Sequence, residues 1–171
     1  ARSEDIEAEL VAIALGATGH GHGALFVWDK AARGLALAHH VANGITLTIP
    51  QVLTRDRDRA GIALHAFETG TAYLCPDTAA DPRYTRYLLD VGSIAAVPIR
   101  YQKKPIGVLT VSDAAIGGPG RAGMGAGDLA LLEELAATAA PLLRRVQLDR
   151  QSRAETGRPF LIKGLSPAWL E

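Results

Sequence analysis

The sequence predicts an α+β sandwich built on a mostly antiparallel sheet, and three observations carry that prediction. Two runs rich in β-branched residues, 93–99 and 106–112, have strand length and are joined by the polar stretch 100–105, so they pair as adjacent antiparallel strands. Apolar residues recur three and four apart near both ends of the chain, the spacing of amphipathic helices. The 171 residues, 48% of them apolar, suffice for one domain with its own core.

Each element has a local cause. Ser3 before Glu4 and Asp5 is a helix start, a cap followed by carboxylates at the positive end of the dipole, and Ile6, Leu10 and Ile13 form its stripe. Gly16, Gly19, Gly21 and Gly23 end it, and 24–28 is a continuous apolar run that reads as a buried strand. After a polar turn at 29–34, Leu35, Leu37 and Val41 alternate with Ala36, Ala38 and His40. Asn43-Gly44 is a hairpin signal, and Ile45, Leu47 and Ile49 alternate with Thr46 and Thr48 until Pro50 stops the pairing.

The charged stretch 55–59 has nearly cancelling signs and reads as a solvated loop or first helical turn. A helix carrying Ala60, Ile62, Ala63, Ala66 and Phe67 follows, ends at Gly70, and leads to a short strand at 73–75. Asp81 with Pro82 predicts the cap and first position of a short helix whose apolar face is Tyr84, Tyr87, Leu88 and Val91, with Gly92 as its stop. The glycine-dense segment 116–127 predicts a mobile loop, because ordering glycine costs more backbone entropy than ordering other residues. Asp128 caps a long helix in which Leu132, Leu135, Ala139, Leu142 and Val146 make a heptad seam. Pro141, which costs about 3 kcal/mol inside a regular helix, predicts a kink or break near 137–141.

Composition excludes several classes of function. Lys+Arg and Asp+Glu are 18 each, so no net field favours nucleic acid or an anionic membrane. Glu133, Glu134, Arg144 and Arg145 interrupt the richest apolar run, so no membrane span is expected. The start is acidic rather than a signal peptide and lacks Met, so the chain is expected to be a piece of something longer. The single cysteine, Cys75, precludes an internal disulfide and fits a reducing cytoplasm.

The Glu68-Thr69-Gly70 helix end, Asp77 and Asp81-Pro82-Arg83 in the following loop, the run 93–99 and Pro105-Ile106-Gly107-Val108-Leu109 occur in an order that resembles the GAF domain family, the small sensory domains of signalling proteins. The resemblance implies a domain over 1–150, with terminal helices on one face of the sheet and short helices and loops on the other. Residues 151–171 are then a linker toward a C-terminal output domain. Within it, Phe160-Leu161-Ile162 and Gly164-Leu165-Ser166-Pro167-Ala168 resemble the opening of the ATPase domain of bacterial enhancer-binding transcription activators. The implied function is a cytoplasmic regulatory input domain that senses a small molecule or partner and passes the signal through a homodimer of its N- and C-terminal helices. The alternative is a ligand-free dimerisation or interaction module.

For the ligand, the resemblance implies a pocket between the sheet and residues 75–91. Its expected lining is Trp28, Phe67, Cys75, Arg83, Tyr84, Tyr87 and Thr110, with Ser112 as a further polar anchor. The same aromatics also suit a core. Neither ligand nor cofactor can be named: the Cys–His pair of bilin-carrying relatives and the Asn-Lys constellation of cyclic-nucleotide binders are not found. Gly118-x-Gly120-x-x-Gly123 matches a dinucleotide fingerprint by letter but opens no helix at its last glycine. His20, His22, His39 and His40 are the conceivable metal ligands, although imidazoles beside glycines are commonly exposed or backbone-bonded. Cys75 is either a redox switch or a small buried hydrophobe. The branch of the family that reduces free methionine sulfoxide relies on several cysteines, so the chain is expected to be non-catalytic.

Overall fold

The computed structural model describes residues 3–55, 61–86 and 90–162. Among them, helix α1 (Ser3–Thr18) precedes strands β1 (His22–Asp29), β2 (Gly34–Ala42), β3 (Ile45–Leu47) and β4 (Val52–Leu53). Helix α2 (Gly61–Thr69), strands β5 (Tyr73–Cys75), β6 (Ser93–Tyr101) and β7 (Lys104–Asp113), and helix α3 (Ala126–Ile162) complete the order. The seven described strands form one antiparallel sheet in the order β3-β2-β1-β7-β6-β5, with β4 also pairing β2.

Two tight turns set the registers. Asn43 and Gly44 both take positive φ, as do Gln102 and Lys103, the left-handed pair that matches strand twist in two-residue hairpins. The β6–β7 connection is therefore shorter than its polar sequence suggests, and the strands run on to Tyr101 and from Lys104.

The sheet is covered on both faces, as the α+β prediction requires. On one face Leu10, Val11 and Ala14 of α1 and Leu132, Ala136, Ala140 and Leu143 of α3 pack over Leu25, Val97, Leu109 and Val111. On the other, Ile62, Ala63, Leu64 and Ala66 of α2 cover Phe26, Leu35, Ala96 and Val108. Terminal helices thus share one face, and α2 with the loop after β5 covers the other.

Several expectations change. A bulge between Leu25 and Phe26 sets Leu25 opposite His39 but Phe26 opposite Leu37, so the simple alternation of β2 breaks. Leu37 packs with the α2 core and Val41 with the α1/α3 core, instead of sharing a face. Strand β3 stops at Leu47, and Ile45 and Ile49 are exposed. The short helix expected from Pro82 is not found among residues 82–86: Asp77 caps a single 3-10 turn at Thr78–Ala80, and Asp81 accepts the Arg83 N–H at 2.9 Å in a turn of its own. Gly92 has another reason than stopping a helix, since a Cβ there would lie 2.4 Å from the Ala114 carbonyl oxygen.

The glycine-dense segment is pinned rather than loose. Gly117 donates to the Pro76 carbonyl at 2.7 Å, Met124 N–H donates to Ser93 Oγ at 2.9 Å, and Met124 is fully buried. A Cβ on Gly117 would stand 1.9 Å from the Met124 carbonyl oxygen, so the glycine permits backbone to touch backbone.

Helix α3 is continuous through Pro141. Pro141 and Ala137, whose carbonyl loses its partner, both lie on the exposed side, where water can take the missing bond. The expected seam is divided: Leu132, Ala139 and Val146 are buried in their own chain, whereas Leu142 is exposed. Helix also continues into the expected linker as far as Ile162. The Ser-Pro-Ala stretch, residues 56–59 of the charged stretch and Ala60 of the expected helix lie outside the described residues.

Candidate functional site

Strand register builds one site residue by residue. Across β2, β1 and β7, His40, Ala24 and Thr110 are direct neighbours; one row further along, His22 of β1 lies beside Ser112 of β7, which pairs Ile94 of β6. Because side chains two apart on a strand share a face, these two rows make one floor. The bulge puts His40 on it. Tyr84, Thr85 and Val91 form the roof of a small cavity that is partly open to solvent.

Two residues of the floor hold buried, unmatched nitrogens. His40 is 4% exposed, and among the described residues neither its Nδ1 nor that of His22 has a hydrogen-bond partner, a state that costs on the order of 1–3 kcal/mol per buried group. Burial, then the neighbouring imidazoles of His22 and His39, push the His40 pKa below its ordinary value, so at neutral pH it is an uncharged ring. Thr110 donates to the Ala24 carbonyl at 3.4 Å. Tyr84 donates to Asp90 Oδ1 at 3.1 Å and accepts the Val91 N–H at 3.2 Å, which fixes the roof.

The residues expected to line a pocket separate into two groups. Thr110 and Tyr84 line the cavity, and Ser112 does as well. Trp28 and Phe67 instead stack on each other, ring centroids 5.1 Å apart and 10° from parallel, against the α2 core. Cys75 is buried in that same core and is not in the cavity wall. Arg83 lies over the Tyr73 ring, 5.9 Å from its centroid. Tyr87 lies outside the described residues.

Cys75 has the environment of a core residue. Burial, reinforced by the Asp81 carboxylate, raises its pKa to about 11, which leaves little nucleophilic thiolate near neutrality. Asp81 itself joins β5 to the loop. It accepts from Tyr73 Oη at 2.6 Å and from the Arg83 N–H. Burial opposes its ionisation, yet these bonds hold its carboxyl below the usual value.

The four histidines grouped by sequence part company. His20 sits just before β1 with an 8% exposed side chain, its Nδ1 2.7 Å from Asp113 Oδ2 and its Nε2 3.0 Å from Asp128 Oδ2. Burial lowers its pKa, but the two carboxylate hydrogen bonds and charges outweigh that and raise it. Asp128 is the third residue of α3 and also takes the Gly125 N–H at 2.9 Å, a reach-back cap at the helix start. His22 and His40 go to the cavity, and His39 pairs Leu25 of the opposite core. Among the described residues, no group of three or more His, Cys, Asp or Glu could hold a metal ion.

Sequence reasoning did not single out His22 and His40 as a cavity pair. The available signal was the two-residue period linking His22 to Ala24 and Phe26. Nothing local announces the bulge that places His40 beside them.

An antiparallel sheet with terminal helices on one face and a roofed cavity on the other defines a class of small α+β sandwich domains. The GAF domain profile matches residues 4–143, and the chain belongs to the GAF domain family, a family of regulatory and sensory domains. It is similar to the GAF domain of an Acinetobacter phosphoenolpyruvate-protein phosphotransferase, with TM-score 0.68 and 13% identity over 86% of each chain. The GAF-B domain of DevS from Mycobacterium smegmatis matches with TM-score 0.63 and 18% identity over 88% of this chain and 98% of that one. Free methionine-R-sulfoxide reductase from Neisseria meningitidis, solved with its substrate, matches with TM-score 0.65 and 22% identity over 85% of this chain and 78% of that one. No curated protein sequence matches.

The reductase match corrects the expectation of a non-catalytic chain. The same fold serves an enzyme in that protein, so membership of the family does not make the chain non-catalytic. No helix among the described residues is long and apolar enough to cross a membrane.

Proposed function

We propose that the chain is a sensory input domain of a signalling protein or transcription activator, taking a small polar molecule into the cavity over β1, β2 and β7. The observation that carries this is the roofed cavity itself, whose floor presents His22, His40, Thr110 and Ser112 on the face opposite α1 and α3. A ligand there changes the state of the strands on which the terminal helices lie, and only differential affinity for two arrangements turns that into a signal. In this reading the domain works in the cytoplasm, upstream of an output domain beyond α3.

The test is a thermal-shift screen of metabolites on the full chain. A ligand at a hundredfold over its Kd adds about 2.7 kcal/mol, and absence of any stabiliser across a broad library of small polar molecules refutes the ligand reading.

One observation favours pairing of two copies, whether or not a ligand binds. Leu131 and Leu142 of α3 are 43% and 53% exposed, and Ile13 of α1 is 49% exposed. Leu131 and Leu142 lie three helical turns apart on one side. A homodimer through α1 and α3 would use them, in place of the buried part of the seam. Sedimentation velocity then gives a dimer for the wild type and a monomer for Leu142→Lys; a wild-type monomer at high concentration refutes the pairing.

A further inference from the structure

The exposed side of α3 narrows the pairing of two copies to one orientation, on the basis that the terminal helices pair at all. Leu132, Ala136 and Leu143 are buried against the sheet. On the opposite side of the helix Glu134, Thr138, Pro141 and Arg145 are exposed, and on a regular helix they fall within about 60° of one another. The exposed Leu131, Leu142 and Leu148 flank that line. Its charges are placed unevenly: the acid comes first, the base follows three turns later, and Ala137, Thr138, Pro141 and Leu142 between them on the exposed side are uncharged. Arg144 turns away from the line to Gln147 Oε1 at 2.7 Å. In a parallel twofold pair each residue meets its own copy, so Glu134 would face Glu134 and Arg145 would face Arg145, and like charges across a seam disfavour that pairing.

We infer that two copies of this chain pair antiparallel through α3, with Glu134 of each copy against Arg145 of the partner subunit. The twofold axis then passes level with Ala139 and Ala140. The same register sets Leu131 level with Leu148 of the partner subunit and Thr138 level with Pro141 of the partner subunit. Leu142 comes level with Ala137 of the partner subunit, whose small side chain leaves it room. One register thus satisfies the charges and the apolar groups together. The occupant is a second copy because one acid and one base at the two ends of an uncharged line complement that same line turned end for end, and the contact is made twice. In this pair α3 leaves the dimer at opposite ends in the two copies, so whatever follows it is carried apart rather than side by side.

The test puts one spin label on Gly127→Cys in the full chain, with Cys75→Ala to leave a single thiol, and measures the label-to-label distance by double electron–electron resonance. Gly127 lies in the first turn of α3, where an added Cβ meets nothing within 4 Å. The antiparallel pair holds the two labelled backbones about 40 Å apart, from a rise of about 1.5 Å per residue, whereas a parallel pair brings them to about 10 Å, the spacing of packed helices. Sedimentation equilibrium of chains that keep Cys75 is the second measurement. Glu134→Arg and Arg145→Glu should each raise the dimer Kd about tenfold at low salt, and the two together should restore it to within about threefold of the wild-type value. A parallel pair predicts no rescue, because the double variant still sets like charges against each other. A short Gly127 distance, single variants that pair as tightly as wild type, or a double variant as weak as the single ones overturns the orientation and leaves the pairing standing. A wild-type monomer at high concentration overturns both, and the face then serves a different protein.

Discussion

His20 is where a change of pH should act on the stability of the domain. Its ring bridges Asp113 at the end of β7 and Asp128 in the first turn of α3, so the protonated form makes two charge-assisted bonds while the neutral form can donate only one. Such bonds contribute about 1.5–3 kcal/mol each when well shielded. The two carboxylates are 25% and 21% exposed, so we discount the pair and expect His20→Gln to cost about 2–3 kcal/mol. For a chain of this size that corresponds to roughly 4–12 °C in Tm. The sign follows from the direction of the shift. The His20 pKa is raised by folding, so its stabilisation is fully present below the ordinary value of 6.5 and is lost as pH rises through the higher folded value. Asp113 behaves oppositely: folding lowers its pKa from 3.8, so its part is present above that value and is lost as pH falls through the folded one. The gap between wild type and variant is therefore widest between about pH 4 and 6.5 and narrows toward about 1 kcal/mol at pH 9. Thermal melts of both proteins at pH 5, 7 and 9 measure it, and subtracting one from the other removes the titration of groups common to both. A gap that stays constant from pH 5 to 9, or widens, refutes the bridge.

Three further outcomes are expected. Glu7 is 2% exposed and held by Arg150 at 2.5 and 3.0 Å, so Arg150→Ala should cost about 2–3 kcal/mol by stranding a buried carboxylate, whereas Glu7→Leu with Arg150→Met should melt close to wild type. Denaturant melts of the single and double variants decide, and equal losses in both would count against the pair. Native Cys75 should react with a thiol reagent at pH 7 at a small fraction of the unfolded rate, given its burial and a pKa of about 11; prompt labelling of the native protein would overturn that. Gly117→Ala should cost about 2–3 kcal/mol from the clash with the Met124 carbonyl, read by thermal melts against Gly127→Ala, where a Cβ meets nothing within 4 Å.

The sequence was legible where one short stretch sufficed to decide an element. Asn43-Gly44 specifies its hairpin by backbone preference alone, and the β-branched runs now seen as β6 and β7 announce neighbouring strands. Elements decided by distant contacts were misread. The glycine segment looks loose until Ser93, thirty-one residues from Met124, holds it. The face occupied by Val41 depends on a bulge set by pairing with β1, and the heptad spacing in α3 describes an apolar surface without saying whether its own sheet or a second copy covers it. Within the candidate site, Thr110 and Tyr84 were legible and Trp28 and Phe67 were not. Two large rings satisfy the same pattern by stacking on each other in a core as by lining a cavity.

The positions of the cavity and the His20 bridge along the chain bear on how a sensory domain of this kind would work. His22 and Ser112 belong to the cavity lining, and their strand register is direct. His20 stands two residues before His22, and Asp113 immediately follows Ser112, so the pair that touches the cavity leads within two residues into the pair that holds α3. Asp128 serves both that bridge and the Gly125 N–H at the helix start; a small displacement of the β1–β7 ends therefore competes directly with the cap. On the opposite face, Leu15 and Val11 of α1 lie 3.0 and 3.2 Å from where a Gly23 side chain would begin, so β1 also bears on the first helix without slack. No long relay is needed for the proposed coupling. The energy at stake is that of one or two charge-assisted bonds, a few kcal/mol, which is the scale on which binding at one site biases another.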